Sequence, residues 1–154
     1  MDNDKVQSIE CLLDTLYDVI SGDKGEIRNW KLFKYLFHPR AKLVYYGADV
    51  EGVTRAQYWS PDFYINSIGN KQETELTTGF FEKEIYRKIE VFGKIAQVFS
   101  TYAAFSNEKD DKPHSRGINS IQLLYHDNRW WIINVFWDGV GETLDNPIPK
   151  KYLP

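Results

Sequence analysis

Apolar and polar positions at the start of the chain alternate with the period of an α-helix. Apolar residues spaced three or four positions apart, from Val6 to Ile20, fall on one face. In the next segment His38-Pro39 marks a helix end, because the residue before proline disfavours helical backbone. Ser60-Pro61 marks a helix start, with serine as the cap and proline in the first turn. The pattern predicts helices over residues 5–21, about 26–37 and about 60–68.

The period changes to two in the second half of the chain. A short strand over Ala41–Tyr46 and a loop over Gly47–Thr54 precede the third predicted helix. Asp127-Asn128 predicts a tight hairpin between the last two of four long strands. Those strands are predicted over residues 76–90, 93–106, 114–125 and 129–138. The order of elements predicts a single α+β domain over residues 1–154, with N-terminal helices packed on a curved antiparallel sheet.

Alternation along the strands predicts which side of the sheet meets the helices. Glu82, Glu84 and Glu90 share one face of their strand, so we expect that face to meet water or a partner and the face of Phe81 and Arg87 to meet the helices. The same reasoning turns the odd residues of the 93–106 and 129–138 strands, and the even residues of the 114–125 strand, towards the helices. The expected inner face then has mostly apolar side chains and a few polar ones: Lys83, Arg87, Gln97, Thr101, Ser120 and Gln122.

An apolar cavity with a few oriented polar groups is typical of a small-molecule site. We expect a small apolar or weakly anionic ligand, with Arg87 and Lys83 available to pair with an anion. The candidate ligand-binding residues are Trp30, Tyr45, Phe81, Arg87, Gln97, Phe99, Ser120, Gln122 and Trp137, and the candidate catalytic residues are His38, Tyr45 and Arg87. The alternatives are that the rings fill a core, that His38 caps or packs a helix end, and that Arg87 is solvated or paired internally.

The opposite face of the predicted sheet is also rich in apolar residues. Its expected members are Tyr86, Tyr102, Asn119, Ile121, Trp130, Ile132, Asn134 and Phe136. This predicts a homodimer formed through the outer face of the sheet.

Composition narrows the function further. Aromatic residues make up 16% of the chain, more than one core usually needs, and rings also line pockets and interfaces. A net charge of -3 without a basic stripe argues against nucleic-acid binding. The three histidines lack ligand spacing, and no cofactor fingerprint occurs, so neither metal nor cofactor is expected. The single cysteine and the lack of a signal-like or membrane-spanning run predict a cytoplasmic protein.

Several motifs together resemble the nuclear transport factor 2-like superfamily. They are the stretches 36–43, 93–98, 116–123 and 129–132, with Trp137 near the end of the last strand. This superfamily has a cone-shaped, cystatin-like α+β fold and includes ketosteroid isomerases, scytalone dehydratases and SnoaL-type polyketide cyclases. The resemblance implies the same fold over nearly the whole chain.

The resemblance also gives expectations for single positions. The general-base aspartate of the steroid isomerases corresponds to Tyr45 here, their oxyanion-stabilising acid to Ser120, and their pocket tryptophan to Trp137. The wall of the pocket is thus retained but the acid–base pair is not. Three functions stay open: a small-molecule-binding domain, an isomerase, dehydratase or cyclase that uses His38, Tyr45, Arg87 and Gln122, and an interaction module. In the third, the tail at 148–153 docks on a partner or covers the pocket.

Overall fold

The computed structural model describes residues 2–140 and 147–154. Its helices are a 3₁₀ turn at Asp2–Val6, α1 at Ile9–Ile20, α2 at Trp30–Leu36, α3 at Pro61–Tyr64, a π turn at Ile65–Gly69, α4 at Asn70–Thr74 and a 3₁₀ turn at Lys150–Tyr152. Its strands are β1 at Phe37–Ala48, β2 at Thr54–Trp59, β3 at Phe81–Phe92, β4 at Ile95–Phe105, β5 at Ser115–His126 and β6 at Arg129–Val140.

Polar side chains set the helix boundaries. The hydroxyl of Ser8 accepts the amide of Cys11 at 3.1 Å and caps α1, which therefore begins four residues after the predicted start of its helix. Asn29 caps α2 by accepting the amide of Leu32 at 3.0 Å, so this helix is shorter than predicted. Ser60 caps α3 as predicted, but the chain stays helical through the π turn to Thr74 and does not stop at Gly69.

The six strands form one mixed sheet in the order β2-β1-β6-β5-β4-β3. β1 runs parallel to β6, and every other neighbouring pair is antiparallel. The predicted α+β class is confirmed, as is the hairpin at Asp127 and Asn128, whose φ angles are 51° and 58°. β2 was not predicted: the predicted loop includes only its first residue, Thr54, and residues 55–59 were assigned to no element.

The main core lies between α1 and the concave face of the sheet. Helix residues Leu12 and Leu13 are fully buried, and so are Val98 on β4, Ile121 on β5 and Ile132 on β6. Even residues of β4 and odd residues of β5 thus face the helices. The predicted orientation of these two strands is wrong.

Two β-bulges change the parity within the other long strands. Ile85 is the extra residue in β3, so Glu82 and Glu84 face inward before it and Arg87 faces inward after it. Ile133 is the extra residue in β6, where Ile132 faces inward before the bulge and Val135 and Trp137 face inward after it. The prediction was therefore wrong for Phe81 and Lys83 but right for Arg87 and Trp137.

The C-terminal segment lies on the convex face of the sheet. The hydroxyl of Thr101 donates to the carbonyl oxygen of Tyr152 at 2.7 Å, and the Tyr152 ring packs on Phe99 with centroids 5.3 Å apart. This contact leaves Thr101 with no exposed surface. The described part of the tail therefore lies opposite the concave side, and its predicted role as a cover over the pocket is wrong in this structure. Among the described residues, no helix is both long and apolar enough to cross a bilayer.

Candidate functional site

A cavity of about 420 Å³ opens between the helices and the concave face of the sheet. This volume falls within the range of small-molecule sites, roughly 300–1,000 Å³. Its walls come from α1, α2, α3, the π turn and all six strands. Most of its lining is aliphatic or aromatic: Leu16, Ile20, Phe33, Phe37, Leu43, Tyr45, Trp59, Tyr64, Ile68, Phe80, Tyr102, Ala104, Val135 and Trp137.

Three rings form one wall of this cavity, and Tyr45 stacks with each of the other two. The Tyr45 ring lies 5.6 Å from Trp59 and 5.8 Å from Trp137, and the two indoles are 6.0 Å apart, measured between centroids. Tyr45 and Trp137 are paired residues on the parallel strands β1 and β6. The strand register therefore fixes the rings in place.

Glu82 is the only carboxyl among the described residues that line the cavity. Its backbone amide donates to the Ser21 hydroxyl at 3.0 Å, and a bridge between Gly22 and Phe80 holds the start of β3 against the end of α1. Its Oε1 accepts a hydrogen bond from Nδ2 of Asn119 at 3.1 Å. Its Oε2 has no hydrogen-bond partner among the described residues.

Burial raises the pKa of the Glu82 carboxyl to about 7, while the hydrogen bond from Asn119 opposes this rise. At neutral pH both the carboxyl and the carboxylate are therefore populated. Such a group can accept a proton from a bound molecule or donate one to it, which is what a general acid or base requires.

A directional series of hydrogen bonds continues from Asn119, the donor to Glu82, to the carboxylate of Glu84. Asn119 Nδ2 also donates to the Tyr17 hydroxyl at 3.0 Å, and the Tyr17 and Ser100 hydroxyl oxygens are 2.6 Å apart. The Ser100 hydroxyl in turn donates to the Glu84 carboxylate. Because the Tyr17 oxygen accepts from Asn119, its own proton points to Ser100. This series of hydrogen bonds therefore sets the orientation of the Asn119 amide, whose NH₂ group points towards Glu82.

The Glu84 carboxylate at the outer end of this chain has a cationic partner. Arg87 Nε donates to Glu84 at 2.6 Å, and its Nη2 also contacts Asp14 at 2.5 Å. Hydrogen bonds and ion pairing with these two carboxylates raise the pKa of Arg87 although burial opposes the rise. Arg87 is thus committed to Glu84 and Asp14, and it does not line the cavity.

Three buried tyrosines line the same cavity as Glu82. Burial raises the pKa of Tyr17, Tyr64 and Tyr102, and the negative charge of Glu82 adds to each rise. All three hydroxyls therefore stay protonated at neutral pH. Room for the Tyr102 hydroxyl comes from Gly139, where a Cβ atom would lie 2.7 Å from that oxygen.

The sequence-predicted ligand residues separate into three groups. Tyr45 and Trp137 line the cavity as predicted. Trp30 packs behind the wall, with its ring 5.5 Å from Phe33 and 6.4 Å from Tyr64. The remaining six lie outside the cavity, and all but Arg87 belong to the convex side of the sheet: Phe81, Arg87, Gln97, Phe99, Ser120 and Gln122.

His38 also lies away from the cavity. Its Nδ1 accepts the backbone amide of Arg40 at 3.2 Å, and its ring meets Trp131 edge-on at 5.8 Å between centroids. Lys83 donates to the carbonyl of Glu108 on the surface. The predicted anion-binding pair Arg87 and Lys83 is thus engaged elsewhere. In the described part of the chain, no group of three or more His, Cys, Asp or Glu residues is placed to hold a metal ion.

Sequence reasoning missed the polar centre of the site, which comprises Glu82, Asn119 and Tyr17. The position inferred for Ser120 from the steroid isomerases is off by one residue, because the inward-facing side chain of β5 is Asn119. Trp59 and Tyr64 were missed as well. Their signal was the aromatic run that flanks the Ser60-Pro61 helix start.

No protein-family model matches the chain, and no curated protein matches it by sequence. Solved structures do match its fold. One is a nuclear transport factor 2-like protein of unknown function from Silicibacter pomeroyi, with a TM-score of 0.57 and 15% identity over 86% of this chain and 92% of that one. Another is a cystatin-like protein of unknown function from Nostoc punctiforme, with a TM-score of 0.60 and 14% identity over 84% of this chain and 88% of that one. The chain has a nuclear transport factor 2-like fold.

A third structure with this fold is described as a putative scytalone dehydratase from Novosphingobium aromaticivorans. It is 13% identical to this chain, covers 96% of it and 94% of its own length, and has a TM-score of 0.59. The predicted nuclear transport factor 2-like, cystatin-like fold is therefore confirmed. At these identities the likeness concerns the fold, and chemistry has to be argued from the site.

Proposed function

We propose that this protein binds a small, largely apolar molecule in the cavity on the concave side of its sheet. The observation that carries this proposal is the cavity itself, with three aromatic rings in contact on one wall and, among the described lining residues, one carboxyl group. Rings supply contact area and shape, and the free Oε2 of Glu82 supplies a single oriented polar contact.

Calorimetric titration with naphthylmethanol, a neutral bicyclic probe, tests this function. We expect saturable binding that weakens about tenfold or more in Trp137→Ala, because the indole forms part of the wall. Phe136→Ala is the matched control: its ring is on the convex face and 44% exposed, so affinity should stay within about twofold. Equal loss in both variants, or no saturable binding by the native protein, contradicts the proposal.

A second candidate is an enzyme of the isomerase or dehydratase type that works in the same cavity. Glu82 favours it, because its pKa of about 7 suits proton transfer at neutral pH. The structure likened to a scytalone dehydratase has the same fold, which is compatible with such chemistry. The earlier candidates His38, Arg87 and Gln122 have no part in this version, and Tyr45 contributes to the wall.

Hydrogen–deuterium exchange of β-tetralone, followed by NMR in deuterated buffer, tests the enzymatic candidate. We expect the protein to accelerate exchange next to the carbonyl, with a rate that rises with pH and levels off above the pKa of Glu82. Glu82→Gln should lose about a hundredfold or more, whereas Glu90→Gln, at an exposed position of β3, should leave the rate unchanged. Exchange that survives in Glu82→Gln contradicts this role.

We further propose a homodimer through the convex face of the sheet. Apolar rings and branched side chains remain exposed there, including Phe99 at 39%, Ile133 at 37% and Phe136 at 44%. Phe136 belongs to the set first predicted, whereas Phe99 and Ile133 do not, because the orientation of β4 is reversed and a bulge at Ile133 shifts β6. Light scattering at micromolar concentration should give twice the chain mass of 18.1 kDa. Phe136→Asp should give the single-chain mass, and a native protein of that mass would contradict the dimer.

A further inference from the structure

The charge inside the cavity restricts what it can hold. No lysine, arginine or histidine is found among the described residues that line it, and Glu82 is its only carboxyl. Its other polar groups are tyrosine hydroxyls, one serine and the Asn119 amide. A carboxylate that forms here has one neutral hydrogen-bond donor and no cation beside it.

Charged residues just outside the cavity lining do not supply a cation to the Glu82 carboxylate. Glu84, on β3 like Glu82, contributes to the raised pKa of Tyr17 through its negative charge. Asp138, near the end of β6, does the same for Tyr102, so both carboxylates add negative charge near the cavity. Arg28, in the loop between α1 and α2, opposes the rise in the pKa of Tyr64 that burial causes. Its guanidinium, however, donates to the backbone oxygens of Gly22 at 3.0 Å and of Glu26 at 2.6 Å in that same loop.

The aromatic wall lies next to the residue that donates to this carboxylate. Asn119, which donates to Glu82, is the paired residue of Trp137 across β5 and β6, and both side chains face the cavity. Side chains of such paired residues are neighbours, with Cβ atoms about 5 Å apart. The Trp137 indole stacks with Tyr45 and lies at a tilt of 56° to Trp59. Electron-rich ring faces attract organic cations, most of all when water is excluded.

We propose that the ligand of this cavity is a small organic cation, a protonated amine on an aromatic or aliphatic body. This rests on the proposed binding function and names its ligand class. The ammonium group pairs with Oε2 of Glu82, and the body lies against Tyr45, Trp59 and Trp137. The pair offsets the cost of a buried carboxylate that has no cation of its own. An anionic ligand would meet the same carboxylate without a compensating charge, so the weakly anionic ligand expected from the sequence is disfavoured.

Three probes of nearly equal shape test this ligand class: naphthylmethylamine, naphthylmethanol and naphthoate, each titrated by calorimetry. At about pH 8 we expect the amine to bind about tenfold tighter than the alcohol, and the carboxylate to bind more weakly than both. Lowering the pH to about 6 should weaken amine binding about tenfold, because Glu82 becomes protonated while the amine stays charged. The affinity of the alcohol should change less than that of the amine.

Two variants distinguish a direct contact with Glu82 from a general effect of the negative charge of the protein. Glu82→Gln keeps the shape of the side chain and should abolish the preference for the amine over the alcohol. Glu90→Gln removes one negative charge from an exposed position of β3 and should keep the preference. If Glu82→Gln does not fold, the comparison of the three probes at the two pH values on the native protein decides the question.

The outcomes separate this inference from the binding function on which it rests. If no probe binds, the proposed function fails and the inference fails with it. If the alcohol binds as tightly as the amine at about pH 8, or if Glu82→Gln retains the preference, the cationic ligand class is wrong while the binding function stands.

Discussion

The side-chain amide of Asn119 donates to Oε1 of Glu82 at 3.1 Å, across the width of β4. This hydrogen bond lowers the pKa of a carboxyl that burial raises. We therefore expect Asn119→Ala to raise the pKa of Glu82 above about 7. Carbon-13 NMR of glutamate side-chain carboxyls measures this pKa, with Glu82→Gln identifying the resonance. Ser115→Ala, in the same cavity and strand, is the control and should leave the value unchanged; a lower pKa in Asn119→Ala contradicts the assignment.

The raised pKa of Glu82 also predicts how stability depends on pH. Its pKa is 4.5 ordinarily and about 7 in the fold, so the folded state binds more protons than the unfolded state between these values. The contribution of Glu82 is present in full below about pH 4.5 and is lost as pH rises to about 7. The free energy of unfolding of the native protein should therefore fall by about 3 kcal/mol relative to Glu82→Gln over this range. Urea unfolding at several pH values measures this difference, and a constant difference would contradict it.

Arg87 contacts two carboxylates that differ in burial. Loss of its contact with the buried one should therefore lower the free energy of unfolding more than loss of its contact with the exposed one. Glu84 has a side-chain exposure of 11%, whereas Asp14 has 71%. Arg87→Met leaves the Glu84 carboxylate partly buried without a cation and should lower the free energy of unfolding by about 3 kcal/mol. Asp14→Asn removes an exposed partner only and should cost less than about 1 kcal/mol. Equal costs in chemical unfolding would show that the buried pair is not the stabilising one.

The Tyr102 hydroxyl occupies space that two glycines, Gly139 and Gly117, leave free. Removing this hydroxyl should restore the stability lost to an alanine at one of these glycines but not at the other. At Gly139 the nearest atom to an added Cβ is the Tyr102 hydroxyl oxygen at 2.7 Å, with the next at 3.4 Å. At Gly117 an added Cβ also collides with the backbone oxygen of Asp138. Each alanine substitution should cost about 1–3 kcal/mol of unfolding free energy. Tyr102→Phe should recover most of this cost at Gly139 and little at Gly117, as double-mutant cycles of thermal unfolding will show.

The C-terminal segment predicts an effect on stability without an effect on the cavity. Tyr152 covers Thr101 and Phe99 on the convex face, whereas the cavity lies on the concave face. Tyr152→Ala should lower the free energy of unfolding by about 1–3 kcal/mol through lost apolar burial. Its affinity for naphthylmethanol should stay within about twofold of the native value. A large loss of affinity would mean that the tail contributes to the site.

Local sequence patterns predicted most of the fold. The apolar spacing of α1, the Ser60-Pro61 start of α3 and the Asp127-Asn128 hairpin are local signals, and the structure contains all three. The parallel pairing of β1 with β6 is a long-range feature without a local signal. The same holds for β2, whose six residues pair with β1 but are mostly exposed.

The site was only partly predictable, because its polar residues break the rule that charged side chains face water. Glu82 and Glu84 face inward because Asn119 of β5 and Ser100 of β4 meet them, and because Arg87, after the bulge of the same strand, pairs with Glu84. The contacts with Asn119 and Ser100 cannot be read from spacing along β3. The bulge at Ile85 then reverses the alternation of β3. Arg87 therefore faces inward as predicted, although Phe81 and Lys83 on the same strand do not.

The position of Asn119 between Glu82 and the Tyr17–Ser100 hydroxyls has a consequence for proton transport. A side-chain amide holds its hydrogens firmly at neutral pH, so it interrupts what would otherwise be a path for proton transfer from Glu82 to Glu84. A proton on Glu82 cannot escape along this chain. Glu82 is thus insulated on that side, and a molecule in the cavity that receives its proton has to return one, or carry it away on leaving.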